Sequence, residues 1–234
     1  VISKLRGLGA EVIDSPLICI EYLEAEISGP RSDHDWMVFT SLHGVEGLIR
    51  QLERQGLDAR FFGGARIAAV GPKTAACLER VGIRADLIPE EYRARALVEA
   101  IGLEAKSGER VLFPCGTLAV DEVSHGLTRL GLEVQTLHVY DTLLQPPNDA
   151  ALDAFRGGVD AVLLYSPSAA KSFASSAVDR DGVQIFCVGP TTADAARAAG
   201  LHVSGVPDVY GDEGMIGALL EMAGADPPSL SDPA

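Results

Sequence analysis

The stretch Arg66-Ile67-Ala68-Ala69-Val70-Gly71-Pro72-Lys73-Thr74, followed by an Ala-rich helical segment, Gly82, a short apolar run, Pro89 and Tyr92, occurs twice in this chain. The second copy reads Gln184-Ile185-Phe186-Cys187-Val188-Gly189-Pro190-Thr191-Thr192, then an Ala-rich segment, Gly200, Pro207 and Tyr210. Gly71 and Gly189, Thr74 and Thr192, Gly82 and Gly200, Pro89 and Pro207, and Tyr92 and Tyr210 are each 118 positions apart. Repeated matches at one offset mark an internal duplication. A period of this length means two domain-sized halves rather than the short stacked units of a solenoid.

Outward from this stretch, Leu8-Gly9-Ala10-Glu11-Val12 matches Leu130-Gly131-Leu132-Glu133-Val134 at an offset of 122, and the strand-like run Asp35 to Ser41 returns at Asp160 to Ser166 at an offset of 125. In the later copy a strand, Arg110 to Pro114, precedes a helix, Leu118 to Leu130. Val1 corresponds to about Val123, so the earlier copy is expected to lack its opening strand and half its helix. The remaining expectations are a helix end from Val1 to Leu8 closed by Gly9, a strand over Glu11 to Leu17, and an extended connector over Cys19 to Glu26. Helices are expected over Gly44 to Gln55, stopped by Gly56, over Arg93 to Ala105 and over Met215 to Ala223. A strand over Glu133 to Tyr140 leads to the loop Gln145-Pro146-Pro147-Asn148, and the tail from Ala225 to Ala234, rich in Pro, Ser and Asp, reads as disordered. Strands alternating with helices make an α/β chain with parallel sheets.

Bulk properties exclude several classes. The 234 residues carry 19 Lys+Arg against 33 Asp+Glu, a net charge of −14, which argues against a nucleic-acid surface built on clustered cations. Four cysteines, Cys19, Cys77, Cys115 and Cys187, form no Cys-x-x-Cys pair, and the histidines His34, His43, His125, His138 and His202 show no ligand spacing. Neither a disulfide framework nor a metal site is indicated; reduced thiols fit a cytoplasmic location. No signal-like start and no apolar run near ~20 residues points to secretion or a membrane.

Ligands of parallel α/β sheets sit beyond the carboxyl ends of the strands. The residues placed there are Thr40, Ser41, Gly71, Thr74, Cys115, Gly116, Ser166, Ser168, Gly189, Thr191 and Thr192. Taken singly, a Ser or Thr before a helix is first an N-cap. Recurrence at equivalent places in both copies, beside Gly-Pro turns that leave amides free, raises the reading to anion binding, and two such arrays would suit a large polyanion. Gly71-Pro72-Lys73-Thr74 is not a nucleotide-binding phosphate loop, because Pro72 replaces the glycine before Lys73; no dinucleotide fingerprint is present either. Cys115 lacks an identifiable His partner and reads as a buried spectator. His43, in a strand-end loop, is a candidate for substrate contact, and Tyr140, ending a strand, is either a hinge-packing aromatic or a hydrogen-bond donor.

Several motifs together resemble the uroporphyrinogen-III synthase family. They are Val38-Phe39-Thr40-Ser41 followed by Gly44-Val45-Glu46, Ala69-Val70-Gly71-Pro72-Lys73-Thr74, Pro89-Glu90-Glu91-Tyr92 and Leu112-Phe113-Pro114-Cys115-Gly116. Val139-Tyr140-Asp141-Thr142, Ser166-Pro167-Ser168 and Val188-Gly189-Pro190-Thr191-Thr192 complete the set. The resemblance implies two flavodoxin-like parallel-sheet domains joined by a two-stranded connector. Residues 1–20 with 143–224 would form domain 1, 27–138 domain 2, and 21–26 with 139–142 the connector. Tyr165 stands where the family commonly has Thr, as at Thr40. The implied reaction cyclises hydroxymethylbilane, a linear tetrapyrrole bearing carboxylates on every ring, to uroporphyrinogen III with inversion of the last ring, loss of water and no cofactor. By the same resemblance Tyr140 donates to the departing hydroxyl, and Thr74, Ser41, Ser166 and Thr192 bind acetate and propionate groups. The expected protein partner is hydroxymethylbilane synthase, and the expected state is a monomer. The rival reading is a non-catalytic two-lobed small-anion-binding protein or an inactive truncated relative.

Overall fold

Trp36, Met37, Val38 and Phe39 are buried without exception, so this strand must be covered on both faces, as the central strands of parallel sheets are. The structure, a computed structural model, describes residues 1–27, 32–118 and 122–224. The expected tail from Ala225 lies outside the described residues, as does the part of the expected Leu118 to Leu130 helix at 119–121. The chain divides into two units, Ile20–Thr142 and Val1–Cys19 together with the segment from Leu143 onward.

In the first of these, β2 (Trp36–Phe39) pairs in parallel with β3 (Arg66–Ala69) and with β4 (Arg110–Gly116), and β4 pairs in parallel with β5 (Glu133–Leu144). With β1 (Ile18–Tyr22) beside β5, the sheet order is β1-β5-β4-β2-β3. The chain changes unit inside β1, after Cys19, and inside β5, after Thr142. Alternation along β2 sorts its side chains to two cores. Met37 and Phe39 pack with Val45, Leu48 and Leu52 of α2 (Leu42–Arg54) and Leu78 of α3 (Pro72–Glu79). Trp36 and Val38 pack with Leu97 and Ile101 of α4 (Ala94–Gly102) and Val123 and Leu127 of α5 (Glu122–Arg129). Each such side chain contributes about 1.5–3 kcal/mol by leaving water, so a polar residue at any β2 position would remove a large part of the unit's stability.

In the other unit, α1 (Ile2–Gly7) precedes α6 (Asp149–Gly157), and β6 (Ala161–Leu164) pairs in parallel with β7 (Gln184–Cys187). Leu164, Ile185 and Cys187 of these strands are buried with Ala170 and Phe173 of α7 (Pro167–Ser175) and Ala193 and Ala196 of α8 (Pro190–Ala198). The Ala-rich segments read from the sequence are thus the faces that these small helices press on their core. The last helix, α9 (Asp212–Met222), buries Met215 and Ile216.

Two expectations are corrected and one helix is added. Glu11 to Leu17 forms no strand; it is held by side-chain and single backbone bonds, Gln145 N to Leu17 O at 2.9 Å and Asn148 N to Ser15 Oγ at 3.0 Å. Its counterpart becomes β5 because it pairs residue by residue with β4; a strand-like run alone does not supply a partner. β5 also runs past Tyr140 to Leu144, so Tyr140 lies within the strand and does not end it. Helix α6, after the Pro-Pro loop, was not anticipated; Asn148 caps it, accepting from Ala151 N at 3.0 Å.

Candidate functional site

The duplicated stretches fold alike at their helix starts. Ser41 and Ser166 adopt nearly the same extended backbone, and each hydroxyl accepts from the third amide beyond it, Gly44 N at 3.0 Å and Ala169 N at 3.1 Å. Gly71 and Gly189 are the N-caps of α3 and α8, each followed by proline at the first helical position, where a missing N–H costs nothing. Gly71 is needed for space: a Cβ there would stand 3.2 Å from the Cβ and Cγ of Tyr92, while the Gly189 equivalent would meet Tyr210 at 3.8 Å. Each tyrosine therefore lies over a Gly-Pro helix start, and both remain 63% exposed.

The sequence-placed residues differ in access. In the unit from Ile20 to Thr142, Thr40 and Ser41 are half-buried, whereas Gly71, Thr74, Cys115 and Gly116 are buried. In the other unit Ser166, Ser168 and Gly189 are half-buried, Thr191 is exposed and Thr192 is buried. Thr74 and Thr192 thus turn their side chains into helix packing and not toward solvent. Burial pushes the Cys115 thiol up to about 11, so it stays a thiol at neutral pH. A histidine does stand beside it: His138 Nδ1 is 3.9 Å from Sγ, a partner that sequence spacing did not reveal.

Tyr140 is fixed by non-local geometry. Cys115 pairs with His138 and Gly116 with Tyr140, so Val139 is an extra residue that bulges β5. One inserted residue reverses which face the following side chains occupy. Val139 is buried against Gly47 of α2, where a Cβ would come within 2.6 Å of its Cγ2. The Tyr140 ring then lies on Gly116, and its hydroxyl is 3.1 Å from Ser41 Oγ. Ser41 Oγ accepts from Gly44 N and keeps a second lone pair and its own hydrogen, so either hydroxyl can be the donor in the bond between Ser41 and Tyr140.

Beside this pair stands a second group. His43 belongs to the first turn of α2, not to a loop, and its ring centroid is 5.6 Å from that of Tyr140. Its Nδ1 is 3.3 Å from the hydroxyl of Tyr22 and 3.5 Å from Glu46 Oε2. Tyr22 donates to Glu46 Oε2, and Arg50 lies 4.3 Å above the Tyr22 ring. Burial first, and then the Glu46 carboxylate, push the Tyr22 phenol up to about 12. Tyr22 carried no sequence signal for the site; strand β1 lying beside β5 brings it to His43 and to Glu46, which stands one turn from His43 on α2.

Among the described residues no group of three or more His, Cys, Asp or Glu could hold a metal ion, and no helix is long and apolar enough to cross a membrane. A cavity of about 430 Å³ lies at the other ends of the strands, lined by Trp36 and Arg66, the first residues of β2 and β3, and by Glu109 just before β4. It is separate from the carboxyl-end residues.

These features define an α/β protein that places hydroxyls and capped helix starts at the carboxyl ends of parallel strands in each unit, with the Tyr140 phenol in one of them. More specifically, residues 1–217 match the family model described as uroporphyrinogen-III synthase HemD, and the chain belongs to that family. The porphyrin biosynthesis protein HemD of Ruminiclostridium josui is 28% identical over 236 residues, covering 97% of this chain but 46% of that protein, so the chain spans less than half of this relative. A putative uroporphyrinogen-III synthase of Methanothermobacter thermautotrophicus is 28% identical over 246 residues, covering 96% of this chain and 94% of the other. In fold, the crystal structure of uroporphyrinogen-III synthetase from Helicobacter pylori is similar at a TM-score of 0.68 and 18% identity, covering 88% of this chain and 91% of that one.

Proposed function

We propose that this chain cyclises hydroxymethylbilane to uroporphyrinogen III, inverting the last ring and releasing water without a cofactor. The observation that carries the chemistry is the Tyr140 phenol, seated on Gly116 and 3.1 Å from Ser41 Oγ, a hydroxyl that can donate to it and leave the phenolic hydrogen for the substrate. In the reaction the C–O bond of the ring A hydroxymethyl group breaks, its electron pair leaving with oxygen, while the pyrrole nitrogen pair forms the exocyclic double bond of an electrophile. Tyr140 donates to the departing oxygen, which leaves as water. The substituted carbon of ring D attacks, the spiro intermediate opens, and reclosure in the opposite sense expels the proton that restores the balance. Because the pyrroles are electron-rich, orienting the chain and assisting hydroxide departure are the protein's main tasks.

Ser41 and Thr74, and in the other unit Ser166 and Thr192, with the amides at their helix starts, bind acetate and propionate groups. For the buried Thr74 and Thr192 the neighbouring amides make the contact. We read each unit as flavodoxin-like, with domain limits at 1–20 plus 143–224 and at 27–138 and a two-stranded connector at 21–26 and 139–142. The parallel pairing of β3, β2, β4 and β5 with helices between them supports this reading. A cytoplasmic monomer fed by hydroxymethylbilane synthase completes the proposal. Its test is to give freshly generated hydroxymethylbilane to the purified chain, oxidise the products and separate isomers I and III. Isomer III is the expected outcome. Isomer I alone from folded protein overturns the enzyme reading in favour of a binding module.

A further inference from the structure

Tyr22 has one hydroxyl hydrogen, and it is given to Glu46 Oε2. The Tyr22 oxygen, 3.3 Å from His43 Nδ1, therefore faces that nitrogen with lone pairs, and so does Glu46 Oε2 at 3.5 Å. A bare Nδ1 would meet two sets of lone pairs; an Nδ1–H meets two acceptors. Nδ1 is thus the protonated nitrogen, and Nε2, for which no hydrogen bond is formed among the described residues, is the nitrogen with the lone pair. The ring that carries it is half-buried and 5.6 Å, centroid to centroid, from the Tyr140 ring.

An unclaimed lone pair selects a donor. Carboxylates offer none at neutral pH, whereas every ring of a linear tetrapyrrole offers a pyrrole N–H. We propose that His43 is a substrate-contacting residue whose Nε2 accepts the N–H of the reacting pyrrole beside Tyr140, with Tyr22 and Glu46 acting as positioning residues that hold its Nδ1–H tautomer. This rests on the synthase reading above and adds to it the part of the substrate that this corner recognises. As the hydroxyl leaves, positive charge develops on the pyrrole nitrogen and its N–H becomes a stronger donor. The hydrogen bond to His43 therefore strengthens in the transition state, where it raises turnover more than it tightens binding. No covalent bond to His43 forms, and its own hydrogens stay where they are.

The experiment is nitrogen-15 NMR of the histidine side chains in the full chain at pH 9, above the ordinary histidine range near ~6.5, with His43→Phe identifying the resonance. The expected spectrum shows His43 as the Nδ1–H tautomer, and Tyr22→Phe and Glu46→Gln shift it toward Nε2–H. Wild-type protein in the Nε2–H form overturns the inference. Uroporphyrinogen III, which carries both pyrrole N–H groups and carboxylates, is then added, and citrate, which carries carboxylates only, serves as the comparison. A move of the Nε2 resonance with the tetrapyrrole alone supports the inference; the same move with citrate, or none with either, sinks it. In turnover, His43→Phe and Tyr22→Phe are expected to lower kcat about 10-fold and about 3-fold, with KM changed less than 2-fold, the sign of an interaction made in the transition state. A rise in KM at unchanged kcat contradicts the assignment. If no isomer III forms but the tautomer and the tetrapyrrole-specific shift are seen, the synthase reading fails while the His43 contact stands.

Discussion

Gly116→Ala tests the seat of Tyr140 directly. The added Cβ would stand 2.6 Å from Tyr140 Cε2, 2.8 Å from Cζ and 3.2 Å from Cδ2. Non-bonded carbons settle at roughly 3.5–4.0 Å, so the ring edge must retreat by about 1 Å. That displacement carries the hydroxyl, now 3.1 Å from Ser41 Oγ, beyond hydrogen-bond range. Gly116 is not one of the glycines with positive φ, so the backbone accepts alanine without strain and the effect travels through the ring. One neutral hydrogen bond and modest overpacking cost about 1–2 kcal/mol of stability. A 1 Å misplacement of a reacting group costs on the order of 10²-fold in rate. The two readouts should therefore part: a slightly lowered urea midpoint, and isomer III formation slowed ~30- to 100-fold. Gly44→Ala is the control, because its Cβ would meet the Pro114 carbonyl oxygen at 2.6 Å, a backbone atom that cannot swing away. It should destabilise more than it slows the folded fraction. Wild-type turnover by Gly116→Ala, or losses in turnover and stability that match those of Gly44→Ala, would refute the role given to the Tyr140 seat.

Tyr140→Phe is expected to slow ring closure about 10- to 100-fold, within the usual span for a lost proton donor, while tetrapyrrole binding, followed by fluorescence quenching, stays within a few-fold; unchanged turnover removes Tyr140 from the reaction. Ser166→Ala deletes one cap and should lower stability by about 1 kcal/mol in a denaturant titration. Ser41→Ala should cost at least as much, since it also strips Tyr140 of its partner, and a neutral result would contradict the capping geometry. Stability should fall at alkaline pH. Burial raises Cys115 from 9.0 to about 11, and burial with neighbouring carboxylates raises Tyr22 and Tyr165 from 10.0 to about 12. The unfolded chain then releases these protons first, so the contribution is complete below pH ~9 and is lost as pH rises through ~11 to ~12. A denaturant midpoint that is flat from pH 8.5 to 11 would count against it. For the same reason Cys115 should react with a thiol reagent at pH 8 only as fast as the protein opens, and prompt modification of the native protein would show it accessible.

Much of this protein was legible because it is local. The order of strands and helices, the caps at Ser41 and Ser166, and the glycines that end helices at Gly9, Gly56, Gly82 and Gly200, all with positive φ, follow from side-chain period and backbone sterics within a few residues. The duplication was visible for the same reason, since equal local patterns recur wherever they fall. What escaped were features that require a partner far along the chain. Glu11 to Leu17 reads as a strand yet forms none, because a strand exists only where another pairs with it. Thr74 and Thr192 stand at the correct strand ends, but packing of α3 and α8 buries their side chains. The placement of Tyr140 over Gly116 depends on the bulge at Val139, which is a property of two strands in register. The meeting of Tyr22 with His43 and Glu46, neighbours one turn apart on α2, depends on β1 lying beside β5. Sequence alone therefore determined which residue types arrive at the carboxyl ends of the strands. Tertiary structure decided which of them face one another, because hydrogen bonds over a few ångströms join residues that sequence distance keeps apart.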